Sequence, residues 1–376
     1  MSLHSRSFRL APWILAASLA LPALGHDTGA PHDDLTTSTP LPFALETRGP
    51  VHAPAPSHLG AGTKTSGHGF WTFVSAPELT PVPSAAMPRL KGAHGTIIVD
   101  KERELAYWGL ENVGWIGFSN HLSQSWIIQG DPAFAKGNLH GADIYPRPGQ
   151  LPLVVAADNV EGEVYLTDTS FQHVETLRLP PLPPYADKQG YAPTDAAFAG
   201  LDEIWVTDGY GKAFFFSATR SPFQFTGKYY GGKSLSGTPH GITFDARTKN
   251  LLVSARPEGL IKRWDRSSTH VVDVRGLPPG STICDTDVWG DYALAPCLDG
   301  PNGTPGPIYI VNLKKQQIVS TINPKVDLGY GEAQHIHDAA WYVTGKGSKQ
   351  EVYILFTNWN PGGVGALKLV QVAKAE

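Results

Sequence analysis

Four histidines occupy matching steps in this chain: Ala93-His94-Gly95-Thr96, Leu139-His140-Gly141-Ala142, Pro239-His240-Gly241-Ile242 and Ile336-His337-Asp338-Ala339. Thr194 and Thr286 fill the same place in two further copies, so the copies number six. Imidazole nitrogen is a common ligand for zinc and related transition metals. Three imidazoles converging with room left for water or substrate describe an open zinc-type site. His140, His240 and His337 fall on alternate copies, and a closed ring of six would bring them to one axis with near three-fold symmetry. Their spacing therefore points to a metal held by His140, His240 and His337. His94 would add a fourth ligand, an outer hydrogen-bonding group or a base. The structural alternative is a repeat feature, each imidazole bonding a neighbouring copy. Asp195, Asp287 and Asp338 read as turn or inter-repeat contacts.

The elements that must position these residues follow from the period. From 94 through 140, 194, 240 and 286 to 337 the steps are 46, 54, 46, 46 and 51 residues. Each copy contains about four β-rich segments punctuated by Gly, Pro, Asp or Asn. A period of about 40–50 residues with four strands per repeat signals propeller blades. The sequence predicts an all-β, six-bladed β-propeller over 67–376. The sixth copy supplies only three strands, ending in Gly365–Val372. The orphan segment Gly69–Ser75, just before blade one, fits as its outer strand and would leave no open edge. First-strand starts and the loops between second and third strands share one rim in such a fold. That rim would gather the histidines with Asp158–Glu163, Asp208–Lys212, Arg256–Leu260 and Asn358–Gly363; Asn358-Trp359-Asn360 and Trp115 could supply aromatic surface there or equally serve blade packing or turns.

Composition agrees. Gly (40) and Pro (32) make up 19% of 376 residues and charged residues only 17%, against typical values of about 12% and about 25%. This excludes a helical bundle or coiled coil and suits short strands joined by tight turns. The net charge of −4 gives no reason to expect nucleic acid as a partner. Residues 1–25 carry Arg6 and Arg9 before an apolar run, Ala11–Leu24, that ends on small residues, the layout of an export signal. The chain is expected to be exported, periplasmic or secreted, without stable membrane insertion once the signal is removed. Residues 26–66, rich in Pro, Gly, Ser and Thr, read as a disordered linker. An oxidising compartment and twelve intervening residues on adjacent strands suggest a disulfide between Cys284 and Cys297.

Several motifs then resemble the NHL-repeat propeller of the peptidylglycine amidation lyase family. They are Pro193-Thr194-Asp195-Ala196-Ala197-Phe198 followed by Ile204-Trp205-Val206-Thr207-Asp208-Gly209-Tyr210, Pro239-His240 with Ala255-Arg256, His140-Gly141, and His337-Asp338. The likeness spans most of 139–357. It implies a six-bladed propeller that holds catalytic zinc through His140, His240 and His337 and cleaves peptidyl α-hydroxyglycine to a peptide amide and glyoxylate. It further implies that Tyr210 is the catalytic tyrosine and Arg256 the substrate-binding arginine, and that Asp338 belongs to a structural calcium site. The residue types suit this chemistry: Tyr210 could take a proton beside a cation and Arg256 could grip a carboxylate in bidentate fashion. Tyr210 could equally cap its loop, and Arg256 could pair with Glu258. The first-blade loop Leu110–Trp115 lacks the arginine that the family carries there. The expected function is a metal-dependent lyase on an α-hydroxyglycine-type or related hydroxy acid, with a small-molecule or peptide substrate. The alternatives are a non-catalytic metal-binding propeller with a protein partner at the rim, or a metal-dependent hydrolase or lactonase.

Overall fold

A computed structural model describes residues 41–42, 44–45, 59–60, 62–232, 237–256, 258–266, 271–346 and 349–370. The export signal expected over 1–25 lies outside the described residues, as does most of 26–66. Val, Ile, Phe, Tyr and Trp dominate the strands, and glycine turns link them.

Six sheets of four or five strands form the propeller, antiparallel except for a short parallel edge strand on two of them. Blade one runs Gly95–Asp100, Leu105–Leu110, Gly114–Ser119 and Gln124–Ile127. The next four blades begin with Leu139–Tyr145, Asp195–Phe198, Pro239–Asp245 and Asp287–Trp289. In blade six, His335–Thr344, Glu351–Trp359 and Gly363–Val370 are joined by an N-terminal strand, Trp71–Ser75. Leu367 pairs with Ser75 and Val370 with Thr72, antiparallel. The orphan segment thus closes the ring as expected, and Ser66–His68 adds a fifth strand outside it. Within the stretch read as a linker, Leu41–Pro42 lies parallel to the outer strand of blade four, and Ala44–Leu45 to that of blade five. Among the described residues, no helix is long and apolar enough to cross a membrane.

The core is distributed between blades. Among the described residues six apolar clusters occur, one for each pair of neighbouring blades. The cluster between blades five and six holds Trp71 and Phe73 of the closing strand against Leu294, Ile310 and Trp341. A blade buries both faces in this arrangement, so its strands read as continuous apolar runs rather than alternating ones.

The expected disulfide is absent. Cys284 and Cys297 are both free and buried. Cys297 stands opposite Ile283 in an antiparallel bridge, and successive side chains of an extended chain point to opposite faces. Cys297 therefore packs into the core between blades four and five, while Cys284 turns toward Arg256, with Sγ 3.8 Å from a guanidinium nitrogen. The spacing brought the right backbones together with the side chains facing apart.

Candidate metal centre

The first strands of blades two, four and six deliver His140, His240 and His337 to the axis, where each is at most 3% exposed. Their ring centroids are 4.5, 4.7 and 5.4 Å apart. Each Nδ1 meets a main-chain carbonyl of the next blade: His140 to Thr194 O at 2.7 Å, His240 to Cys284 O at 2.8 Å, and His337 to Gly95 O at 3.2 Å. A carbonyl only accepts, so each Nδ1 carries the proton and each Nε2 presents a lone pair to the axis. Metal-binding histidines are characteristically oriented in this way.

This pattern corrects the alignment of the repeats. Histidine occupies one position in blades two, four and six, and Gly95, Thr194 and Cys284 occupy it in blades one, three and five. Thr286, which seemed equivalent from sequence, lies further along; its carbonyl accepts from the Thr243 hydroxyl of blade four. His94 sits one residue before its blade's equivalent position and approaches from outside the three-fold set.

The glycine after His140 and after His240 also has a cause. A side chain on Gly141 would overlap Asp195, and one on Gly241 would overlap Asp285. These carboxylates pack against the backbone of the preceding blade just after its histidine. Asp195 then accepts from Ile242 N at 2.7 Å, Asp338 from Ile97 N at 2.8 Å and Thr96 Oγ1 at 2.9 Å, and Asp287 from Trp341 N at 2.7 Å. All three carboxylates join neighbouring blades, as their positions in sequence suggested. Asp338 is spent on this contact, and among the described residues no tight group of carboxylates forms around it.

His140 Nε2 and His337 Nε2 are 3.1 Å apart. With both Nδ1 atoms protonated, two lone pairs face one another there. An added proton would relieve the repulsion, but burial holds His140, His240 and His337 well below the ordinary histidine range. A metal cation would satisfy both. His94 completes a set: among the described residues, His94, His140 and His337 form the one group of metal-type donors whose nitrogens all lie within 4.8 Å of one another. The chain therefore has a buried three-histidine cluster that could hold a transition metal.

His240 stands on the other side of His140, with the Tyr210 hydroxyl 3.1 Å from the Nε2 of each. Arg256 donates to His240 Nε2 at 3.0 Å and to the Tyr210 hydroxyl at 3.1 Å. Tyr210 is 38% exposed as a residue while its hydroxyl turns inward to the histidines. Burial raises the hydroxyl's pKa, against the opposing pull of Arg256. The Tyr210 loop is anchored by buried Asp208, which accepts from Ala192 N at 2.7 Å, Lys212 N at 2.6 Å and the Tyr185 hydroxyl. Arg256 thus turns to the histidines rather than to Glu258.

His94 stacks on Trp359 at 5.2 Å and 19°, and Glu111 lies 3.8 Å from its Nδ1. The hydrogen bond from His94 holds Glu111 below the usual carboxylate range. Trp359 belongs to the rim as expected. Trp115 does not: it is 1% exposed in the core between blades one and two, stacked on Phe171. Glu111 and Cys284 were not foreseen as parts of the site, and Asp208 was expected at the rim but not as the anchor of the Tyr210 loop. Asp208 had a signal in the Asp-Gly-Tyr motif; the other two had none.

No protein-family model matches the chain, and no curated protein matches it in sequence. Among solved structures, a chain of a nidogen/laminin complex is 11% identical with a TM-score of 0.50, covering 73% of this chain and 97% of its own length. Saccharomyces cerevisiae Sqt1 is 9% identical with a TM-score of 0.44, covering 72% of this chain and 69% of its own. BBS1N, solved in complex with ARL6DN, is 10% identical with a TM-score of 0.43, covering 73% and 78%. At such identities the likeness is one of fold alone. Fold and site together define a six-bladed β-propeller with a buried histidine cluster at its axis.

Proposed function

We propose that this propeller is an exported, metal-dependent lyase acting on an α-hydroxyglycine-type or related hydroxy-acid derivative at the histidine end of its channel. The facing lone pairs of His140 and His337, 3.1 Å apart beside Tyr210 and Arg256, carry this reading. An all-nitrogen donor set suits zinc, whose histidine ligands lie about 2.0 Å away and hence about 3.3 Å from one another at tetrahedral corners. His140 and His337 would hold the metal with His94 or His240. When bound it would supply Lewis-acid polarisation of a substrate oxygen.

The chain's own residues supply the rest. Guanidinium N–H groups of Arg256 pair with the substrate carboxylate and fix the hydroxyl-bearing carbon beside Tyr210. Burial and Arg256 together leave Tyr210 a neutral phenol; with its pKa lowered beside a bound cation, it would as base accept the hydroxyl proton. The O–H electrons form the new C=O, the C–N bond breaks, and the proton passes to the departing amide nitrogen, giving an amide and glyoxylate. The matching of Thr194–Tyr210, His240, Arg256 and His337 to amidation lyase motifs supports this assignment. Zinc-loaded protein should release glyoxylate from an α-hydroxyglycine peptide, and Tyr210→Phe should slow kcat about 100-fold or more. Release no faster than the uncatalysed rate, from protein shown to contain zinc, would overturn the lyase.

One observation favours a second reading, a metal-binding propeller without catalysis. His94 offers a fourth imidazole, and closed four-ligand spheres are typical of non-catalytic zinc. His94→Ala separates the two. In a lyase whose third ligand is His240 it leaves turnover intact or raises it; in a metal-binding module it weakens zinc binding at least ten-fold with no turnover in either form.

A further inference from the structure

His240 differs from the other two axial histidines in what its Nε2 already holds. Its Nδ1 donates to Cys284 O at 2.8 Å, and its Nε2 accepts an N–H from Arg256 Nη1 at 3.0 Å. A neutral imidazole has one lone pair in its ring plane, so this nitrogen takes either a metal ion or an N–H, never both. His140 is engaged less firmly. The Tyr210 hydroxyl lies 3.1 Å from both Nε2 atoms, and its one proton goes to His140, since His240 is taken. A phenol turns its proton away by rotating about the C–O bond, which frees His140. The protons of a planar guanidinium are fixed in their fork.

Arg256 is held at several further points. Its main-chain N–H meets Thr238 O at 2.9 Å, its Nη2 donates to the Tyr210 hydroxyl at 3.1 Å, and its Nη1 lies 3.8 Å from Cys284 Sγ. Cys284 thus touches both partners: its carbonyl sets the His240 ring, and its thiol lies against the guanidinium that the ring receives. The two N–H groups of Nη1 and one of Nη2 are engaged in this way. Nε–H and the second Nη2–H run parallel along the other edge of the fork, and they are the pair left for a carboxylate. The nitrogens of His94, His140 and His337 all lie within 4.8 Å of one another, and among the described residues no such group includes His240.

We propose that His240 is a positioning residue and not a metal ligand. With Cys284 it aims the open edge of Arg256 at the substrate carboxylate, while His94 joins His140 and His337 at the metal. This rests on the reading of Arg256 as the carboxylate grip. With His94 as the third ligand, turnover by the wild type decides between lyase and metal-binding module.

The test measures two equilibria on the full-length chain. One is zinc affinity against a chelator. The other is calorimetric binding of glycolate to the zinc-loaded protein, with its neutral amide, glycolamide, as control. His240→Ala should change zinc affinity less than about three-fold and weaken glycolate about ten-fold or more, with glycolamide unaffected. His240→Gln, whose amide oxygen again accepts from Arg256, should recover most of that loss. His94→Ala should weaken zinc about ten-fold or more. With cobalt in place of zinc, the visible spectrum reports the ligand set; it should match the wild type in His240→Ala and change in His94→Ala. Cys284→Ala, a small change that threatens folding least, should weaken glycolate several-fold at constant zinc affinity. Zinc binding lost in His240→Ala and His240→Gln but kept in His94→Ala would overturn the proposal. So would glycolate binding that falls in Arg256→Ala but not in His240→Ala or Cys284→Ala. Glycolate binding unchanged in Arg256→Ala itself would remove the carboxylate grip, and with it both the lyase reading and this proposal.

Discussion

Each axial imidazole is fixed at Nδ1 by a main-chain carbonyl and turns Nε2 to the axis, and the consequences can be tested one side chain at a time. Because burial keeps His140, His240 and His337 neutral well below the usual pH, protons should not compete for the metal near neutrality. Zinc affinity, measured against a chelator, should change less than about three-fold between pH 7.5 and 6.5 and fall only at lower pH. The same lowered pKa values bear on folding. Unfolded histidines titrate near 6.5, so the metal-free protein keeps this contribution to stability above that pH and loses it as pH falls below. Melting temperature of the metal-free protein should therefore drop from pH 7 to pH 5, and bound zinc should reduce the drop. The histidines were legible in the sequence because an imidazole at the start of an apolar strand stands out. Their partners were not, because Thr194, Cys284 and Gly95 contribute main-chain carbonyls, which every residue type has. Thr286 looked equivalent for want of that information.

At the scale of the strand, the small residue after His140 or His240 is a packing requirement set by the next blade. Gly241→Ala would force its methyl group into Asp285 and the Cys284 carbonyl. A loss of more than about 2 kcal/mol, in the range for overpacked cores, is expected in denaturant titration; a cost near zero would show that the two blades are not so closely seated. The closing strand is the second element to test. Phe73 is fully buried between blades five and six, and Phe73→Ala should cost about 3–5 kcal/mol. Ring closure was readable because blade six lacked a strand and Trp71–Ser75 had no blade of its own. The cysteines show what spacing cannot supply: a register shift of one residue turns a side chain to the other face. Denatured, unreduced protein should react with two equivalents of a thiol reagent, and the native protein much more slowly.

For the whole molecule, the core is a ring of six interfaces rather than one centre, and the axis carries the polar groups that the interfaces exclude. Charged residues are few in the sequence because both faces of each blade are covered. The carboxylates that remain near the axis are held in unfavourable surroundings. Burial pushes Asp143 up from 3.8 to about 6, so the folded protein binds more protons than the unfolded chain between those values. Stability from this residue is present at low pH and is lost as pH rises through that window. Asp143→Asn loses one of the two N–H bonds that the carboxylate accepts, so it should destabilise less at pH 7.5 than at pH 5, as denaturant titration at the two pH values would show. The sequence suggested these acids as blade contacts but not the cavity they line, since that space depends on how all six inner strands meet.

The central claim is that the axial histidines hold a transition metal, and anomalous diffraction from zinc-soaked crystals, collected on both sides of the zinc absorption edge, tests it most directly. A single strong peak is expected between the Nε2 atoms of His140 and His337, with His94 or His240 completing the ligands. No peak at the axis, with those two nitrogens still facing one another in the map, would contradict it.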